Sequence, residues 1–513
     1  MQSHANKGLS RRKFLAASAA GLSAMAMPQV LIEAVWAAQA KSAVSMPDSM
    51  VQAARMLRQG ALTCRSLTKA CLDCIASLNP RLNAFITITG EQALARAEEL
   101  DRQLRAGRDL GPLHGIPIVH KDLYDTRGIP TTVGSEFFRS RVPTEDATVV
   151  ARLSRAGAVC LGKTNMNEFA AGLSGTNKSF GDAHNPWNLE RSPGGSSSGT
   201  GVAVATGMCL GGTGTDTGGS VRVPASWQGI VGIRPTYGRV SLAGIYPRAY
   251  SLDCPGPLAR TVGDAALLLN VMAGHDPRDP HSLKAPVPDY TAGLNKGVKG
   301  LRIGIIDNYT FRDVDQDVAD CLTKAMDVFQ KLGAKVQKVS IPLFGGPLEY
   351  GALFNILLYE FNKILGKQFM EEPRRAELFG PIVQANIEKG RQISDEVYHK
   401  ALAERPAQMA QVKKVFQDTD VLLTPVMPTT APLLSAGAQD YDRGRQFTLP
   451  FSYIGLPCMA VPCGFSPQGL PVGLQIAAND LREGLLVQVA AAYEKETGYT
   501  GKRPPIYCKS DLG

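Results

Sequence analysis

The spacing of apolar positions predicts alternating helices and strands along most of the chain. Over residues 47–78 apolar side chains recur mostly every three to five positions (Met50, Ala53, Leu57, Leu62, Leu67, Cys71, Cys74, Leu78), which predicts helix ended by Asn79-Pro80. Residues 82–88 alternate in part and predict a short strand, and 91–106 predict a charged amphipathic helix. Residues 116–120 form a short β-branched run between Gly115 and Lys121, the pattern of a buried strand. A helix at 149–156 and a strand at 159–162 follow. Further on, 301–306, 335–341, 421–424 and 458–462 read as strands and 319–332 as a helix. Residues 343–415 look helical, carry aromatics (Tyr350, Phe354, Tyr359, Phe361) and hold no catalytic pattern. This alternation predicts an α/β protein.

The first forty residues read as an address. Ser10-Arg11-Arg12-Lys13-Phe14-Leu15 has the twin-arginine pattern, a weakly apolar Ala-rich stretch covers 16–27, and Ala38-Gln39-Ala40 offers a signal peptidase small residues. No later stretch reaches the roughly 20 apolar residues of a membrane span. The expectation is export by the Tat machinery, a periplasmic or secreted mature protein, and no stable membrane insertion once residues 1–40 are removed. Residues 41–513 then form one domain, with a catalytic core at about 50–285, a substrate-shaping helical region at about 343–415 and closing strands to about 492.

Composition changes this picture little. The chain has 513 residues, 44% hydrophobic and 20% charged, an ordinary balance for a globular protein. Net charge is +9 without a Lys/Arg run interleaved with aromatics, so no nucleic-acid surface is expected. The ten cysteines include a Cys71-x-x-Cys74 pair, but no second pair or His cluster completes a metal site. Cys64, Cys71 and Cys74 suit one apolar helix face, and Cys458 and Cys463 an apolar core. A protein folded in a reducing compartment before export keeps its cysteines mostly free. Neither cofactor nor metal is expected.

Candidate chemistry concentrates where Gly, Ser and Thr dominate. Ser192-Pro193-Gly194-Gly195-Ser196-Ser197-Ser198-Gly199 is followed by Gly214-Thr215-Asp216-Thr217-Gly218-Gly219-Ser220. Such backbone can turn several N–H groups toward one ligand, as an oxyanion hole or a phosphate cradle requires. The phosphate reading fails, because neither loop ends in Lys-Ser/Thr and Thr217 stands where a dinucleotide fingerprint needs its third glycine. Gly195-Ser196-Ser197-Ser198-Gly199 also fits the G-x-S-x-G elbow around Ser197, which would demand an Asp and a His downstream. His275, His281 and His399 lie in polar stretches with no strand-end setting. A serine without histidine can be activated by an uncharged lysine, and Lys121, entered straight from an apolar strand, is the candidate.

Together, Gly115-Ile116-Pro117-Ile118-Val119-His120-Lys121-Asp122, Gly162-Lys163-Thr164-Asn165-Met166-Asn167-Glu168-Phe169, Asn185-Pro186-Trp187-Asn188, the two glycine-serine loops and Gly232-Ile233-Arg234-Pro235-Thr236-Tyr237-Gly238-Arg239 resemble the amidase signature family. The likeness runs from about residue 50 to 492 and includes Gly455-Leu456-Pro457 and Pro471-Val472-Gly473-Leu474-Gln475. It implies a large twisted mixed β-sheet covered by helices on both faces. It further implies Lys121 as catalytic lysine, Ser196 as the bridging serine on a cis peptide, and Ser220 as the acylated nucleophile. The N–H groups of Thr217, Gly218, Gly219 and Ser220 would form the oxyanion hole, Gly172 would line the acyl pocket, and Asp216 and Arg222 would brace the loop. Ser198, Thr200-Gly201 and Ser452-Tyr453 depart from the family's usual residues. The function implied is hydrolysis of a small-molecule carboxylic amide. The alternatives are a component of a glutamine-dependent amidotransferase working on charged tRNA, or an esterase centred on Ser197. A homodimer is left open.

Overall fold

The computed structural model describes residues 44–344, 351–508 and 511–512. Two units are present. One is a two-residue antiparallel pairing of Val44–Ser45 with Asp511–Leu512. The other spans residues 46–510 and holds an eleven-stranded mixed sheet. The leader pattern of residues 1–40 lies outside the described residues.

The strands are β1 (Phe85–Ile88), β2 (Pro117–Lys121), β3 (Val159–Thr164), β4 (Gly211–Asp216), β5 (Val231–Arg234), β6 (Cys254–Ala259), β7 (Arg302–Ile306), β8 (Lys335–Val339), β9 (Val421–Pro425), β10 (Cys458–Phe465) and β11 (Pro471–Ala478). Their spatial order is β1-β3-β2-β4-β6-β5-β10-β11-β9-β7-β8. β3, β2 and β4 run parallel, as do β9, β7 and β8, and the remaining pairs are antiparallel. This is the α/β class that the alternating pattern predicts and the mixed sheet that the family resemblance implies. Every residue of β2 and β4 is buried, which is why β2 reads as a continuous apolar run.

The predicted helix over 47–78 is two helices, Met50–Arg58 and Cys64–Leu82. Thr63 caps the second, its side chain accepting from the Ser66 N–H. That helix continues through Pro80 and ends at Asn83, which takes a left-handed conformation (φ 47°) while its N–H donates to the Asn79 carbonyl. Cys64 and Cys71 are buried and free, but Cys74 forms a disulfide with Cys508 across 434 residues of sequence. Helical spacing cannot reveal a partner delivered by the far end of the chain.

Sequence patterning misses β4, whose residues Gly211-Gly212-Thr213-Gly214 look like loop. It is a strand because its backbone pairs with β2 and β6, and it lacks side chains because the helix Ser198–Thr206 and the residue before it lie almost on that backbone. A Cβ on Gly212 would stand 2.8 Å from Thr200 Cγ2 and 2.6 Å from Val119 Cγ2, and one on Gly214 2.8 Å from Ser197 Oγ. Missing side chains here are the condition for bringing the Ser196 loop onto the sheet.

Candidate active site

Three parallel strands end side by side, and their C-terminal ends carry the chemistry. β2 ends in Lys121 and β4 ends in Asp216, followed by the Thr217–Ser220 turn. Pairing His120 with Thr213 places Lys121 beside Gly214 and Thr215. The Ser196 loop arrives from above, immediately before the helix beginning at Ser198.

Lys121 is fully buried and surrounded by hydroxyls. Its Nζ donates to Ser196 Oγ at 2.7 Å and to Thr215 Oγ1 at 2.9 Å. Burial pushes its pKa down from 10.5 to about 7, against the opposing pull of Asp253 and Asp216. The second buried lysine, Lys163, is occupied differently. It donates to the Tyr124 carbonyl at 2.8 Å and to Thr131 Oγ1 at 2.6 Å, with Asp122 at 3.4 Å. Lys121 is therefore the lysine that meets a serine.

Ser196 follows a cis Gly195–Ser196 peptide and is fully buried. A Cβ on Gly195 would stand 2.1 Å from Asn167 Oδ1, so Asn167 and this loop occupy one another's space. Ser220 is 5% exposed on the wall of a cavity of about 630 Å3. Its carbonyl accepts from the Ser197 N–H at 3.3 Å, drawing the two loops together. Among the described residues its hydroxyl makes no hydrogen bond, and none joins it to Ser196. The structure thus makes the lysine–serine contact and leaves Ser220 uncommitted at the cavity. Ser197, the elbow candidate, is fully buried against Thr215, whose N–H reaches its Oγ at 3.3 Å, and it does not line the cavity. The elbow alternative has no accessible nucleophile.

The turn after β4 is held from behind. Asp216 accepts from the Gly219 N–H at 2.7 Å and from Arg222 Nε and Nη2, both at 2.9 Å. Arg222 and, behind it, Arg234 hold the Asp216 carboxyl well below the usual range despite complete burial. Arg222 continues to Gln475 Oε1 and Ser452 Oγ, both at 2.7 Å, and Arg234 donates to the Asp216 carbonyl. Asp216 and Arg222 brace the loop, as the sequence suggests, and Ser452 joins the brace. On the flanks, Thr448 Oγ1 donates to the Gly218 carbonyl at 2.7 Å and Thr217 Oγ1 to Asp253 Oδ1 at 2.5 Å.

The oxyanion-hole expectation needs one correction. The Gly219 N–H is spent on Asp216. The N–H groups of Thr217, Gly218 and Ser220 find no acceptor among the described residues, and all three residues line the cavity. Gly172 lines it too, with φ 144° and no room for a Cβ against Asn167 Nδ2 at 2.9 Å. The helical region contributes Phe354, Leu357, Leu358 and Ile382. Tyr359 instead stacks on Tyr398, Phe361 is core, and Tyr350 lies outside the described residues. Sequence reasoning missed Thr215, Asp253 and Arg248. Among the described residues no His/Cys/Asp/Glu cluster could hold a metal ion, and no helix is long and apolar enough to cross a membrane.

Comparison with known proteins decides the family. The family model described as Amidase matches residues 66–487. The chain belongs to the amidase signature family. Among curated members of this amidase family, the A subunit of a glutamyl-tRNA(Gln) amidotransferase from Cyanothece sp. (strain PCC 7425 / ATCC 29141) is 43% identical over 466 residues, covering 86% of this chain and 96% of the relative. Among solved amidase structures, the native peptide amidase from Stenotrophomonas maltophilia superposes with a TM-score of 0.80 at 34% identity, covering 89% of this chain and 98% of that one. A 6-aminohexanoate cyclic dimer hydrolase complexed with substrate gives 0.82 at 27%, with the same coverages. The curated relatives overturn one expectation. They are named for an enzyme of glutamyl-tRNA, and tRNA is a cytoplasmic molecule, so the expectation of a periplasmic or secreted protein is withdrawn. The Tat partner expected with it is withdrawn as well.

Proposed function

We propose that this amidase-family chain splits a carboxylic amide by acyl transfer to Ser220, with uncharged Lys121 as base and Ser196 as relay. The observation carrying this reading is a dry lysine whose hydrogen-bond partners are two hydroxyls, one of them Ser196. The relay requires the Ser196 hydroxyl to accept from Ser220 while it donates to Lys121. Ser220 Oγ bonds to the amide carbon as its proton passes through Ser196 to Lys121. The N–H groups of Thr217, Gly218 and Ser220 take the developing oxyanion, each worth roughly 3 kcal/mol of barrier. Lys121 returns the proton to the leaving nitrogen, the C–N bond breaks, and water releases the acid from the ester by the same route reversed. A fluorophosphonate probe tests this: labelling at Ser220 supports it, and labelling elsewhere or nowhere rejects it.

A second reading concerns the amide itself. The 43% identity to the amidotransferase relative, against 34% for the peptide amidase, favours glutamine as amide donor, with the released ammonia passed to glutamate on tRNA by partner subunits. It is supported if ammonia release from glutamine by the purified chain rises on adding such subunits and charged tRNA. It fails if simple amides turn over fully without them and glutamine does not.

A further inference from the structure

Arg248 stands out among the cavity residues. It shares the wall with Ser220, Thr217 and Gly218, yet only 5% of it is exposed. Among the described residues none of its guanidinium N–H groups donates a hydrogen bond, and its buried Nη1 has no partner. The other buried arginines donate through their terminal nitrogens, although the Nε of Arg234 and of Arg260 has no partner. Arg222 engages Asp216, Gln475 and Ser452, and Arg405 reaches the Tyr453 and Ser251 carbonyls. The carboxylate whose charge acts on it, Asp253, is already committed to Thr217 Oγ1 and to the N–H groups of Arg248 and Ala249.

The guanidinium is also held in place. Its carbon lies 3.7 Å over the Phe361 ring, and its backbone N–H is fixed on Asp253 Oδ2 at 2.7 Å. Burial lowers its pKa to about 9, which leaves it charged at neutral pH. A buried, oriented guanidinium without an acceptor costs stability unless a ligand supplies one. Its planar fork matches a carboxylate.

We infer that the substrate's acyl portion carries a carboxylate, bound by Arg248 while the amide carbon meets Ser220. The inference rests on the amide-cleaving reading above and names the substrate class for that site. The other charged residues of the cavity are Lys389 and Arg445, and no described lining residue is Asp or Glu. A zwitterion such as free glutamine would place its ammonium among cations. An ω-amide of a dicarboxylate, bearing one negative charge, fits better.

The test uses the purified full chain and reads ammonia release. Glutaramate is compared with 5-methylhexanamide, in which an isopropyl group replaces the carboxylate. A wild-type kcat/KM ratio of about 100 in favour of glutaramate is expected from a two-point charged hydrogen bond. Arg248→Gln should cut that ratio at least about tenfold, mainly through KM, and Arg248→Lys should restore part of it. Equal loss on both substrates, or a wild-type ratio near one, overturns the inference. Glutarate binding, followed by Tm, separates the two claims. If glutarate stabilises wild type but not Arg248→Gln while Ser220 resists the fluorophosphonate, the anion site stands and the acyl-enzyme reading falls. If Ser220 is labelled but glutarate shifts neither protein, the anion site falls alone.

Discussion

An uncharged Lys121 has a measurable consequence across neutral pH. An ordinary lysine with pKa about 10.4 would be uncharged in only about 0.1% of molecules at pH 7.4. With its pKa lowered to about 7, Lys121 is uncharged in roughly 70% of molecules at that pH, a gain of nearly a thousandfold in competent base. The rate of ammonia release from a neutral amide, as kcat/KM between pH 5.5 and 9, should therefore rise through a single midpoint near 7 and level off by about pH 8.5. Lys121→Met should abolish the rise and cost at least about a thousandfold in rate. The same burial destabilises the fold. Between about 7 and 10.5 the unfolded chain holds a proton that folded Lys121 lacks, so wild-type stability grows with pH over that window. Lys121→Met escapes this and should gain Tm over wild type most clearly below pH 7. A rate that falls from pH 6 to 9 with the fold intact would refute the base assignment. So would a midpoint above 9, or a methionine variant within threefold of wild type.

Ser220→Ala should lose fluorophosphonate labelling and at least about a thousandfold of activity, read by mass spectrometry and ammonia release, whereas Ser197→Ala should keep the label. Asp216→Asn leaves Arg222 and Arg234 short of a buried counter-charge and should cost about 3–5 kcal/mol in urea unfolding. Gly199→Ala would force a Cβ to 2.1 Å from the Ala84 carbonyl oxygen and 2.6 Å from the Asn165 nitrogen, so a large fall in Tm or insoluble expression is expected.

Much of the site was legible because its residues sit in local patterns. Lys121 closes an apolar run, and Ser196 and Ser220 sit in tracts rich in glycine. The α/β class followed from alternating periods for the same reason, whereas the mixed sheet was implied by the family resemblance. What stayed hidden depends on register and topology. Thr215 becomes a lysine partner only because β2 and β4 pair as they do. Asp253 and Arg248 come from a loop that no period marks. β4 reads as loop because its side chains are absent to admit a helix, and β6 because Pro255 and Pro257 disguise a strand that is completely buried. The Gly219 N–H was assigned to the oxyanion, but a carboxylate three residues away claims it.

The two sides of the cavity differ in how freely they can change. The serine side has every residue from Gly194 to Gly219 buried, several at distances that forbid one more carbon atom. The opposite side is helix surface, where Ile382 is 46% exposed and Lys389 and Asn386 reach solvent. Altered selectivity should thus be sought at the cavity positions Ile382, Ala385, Asn386 and Lys389, where a new side chain meets water rather than backbone, and a library confined to those four should return far more folded variants than one spanning 194–219.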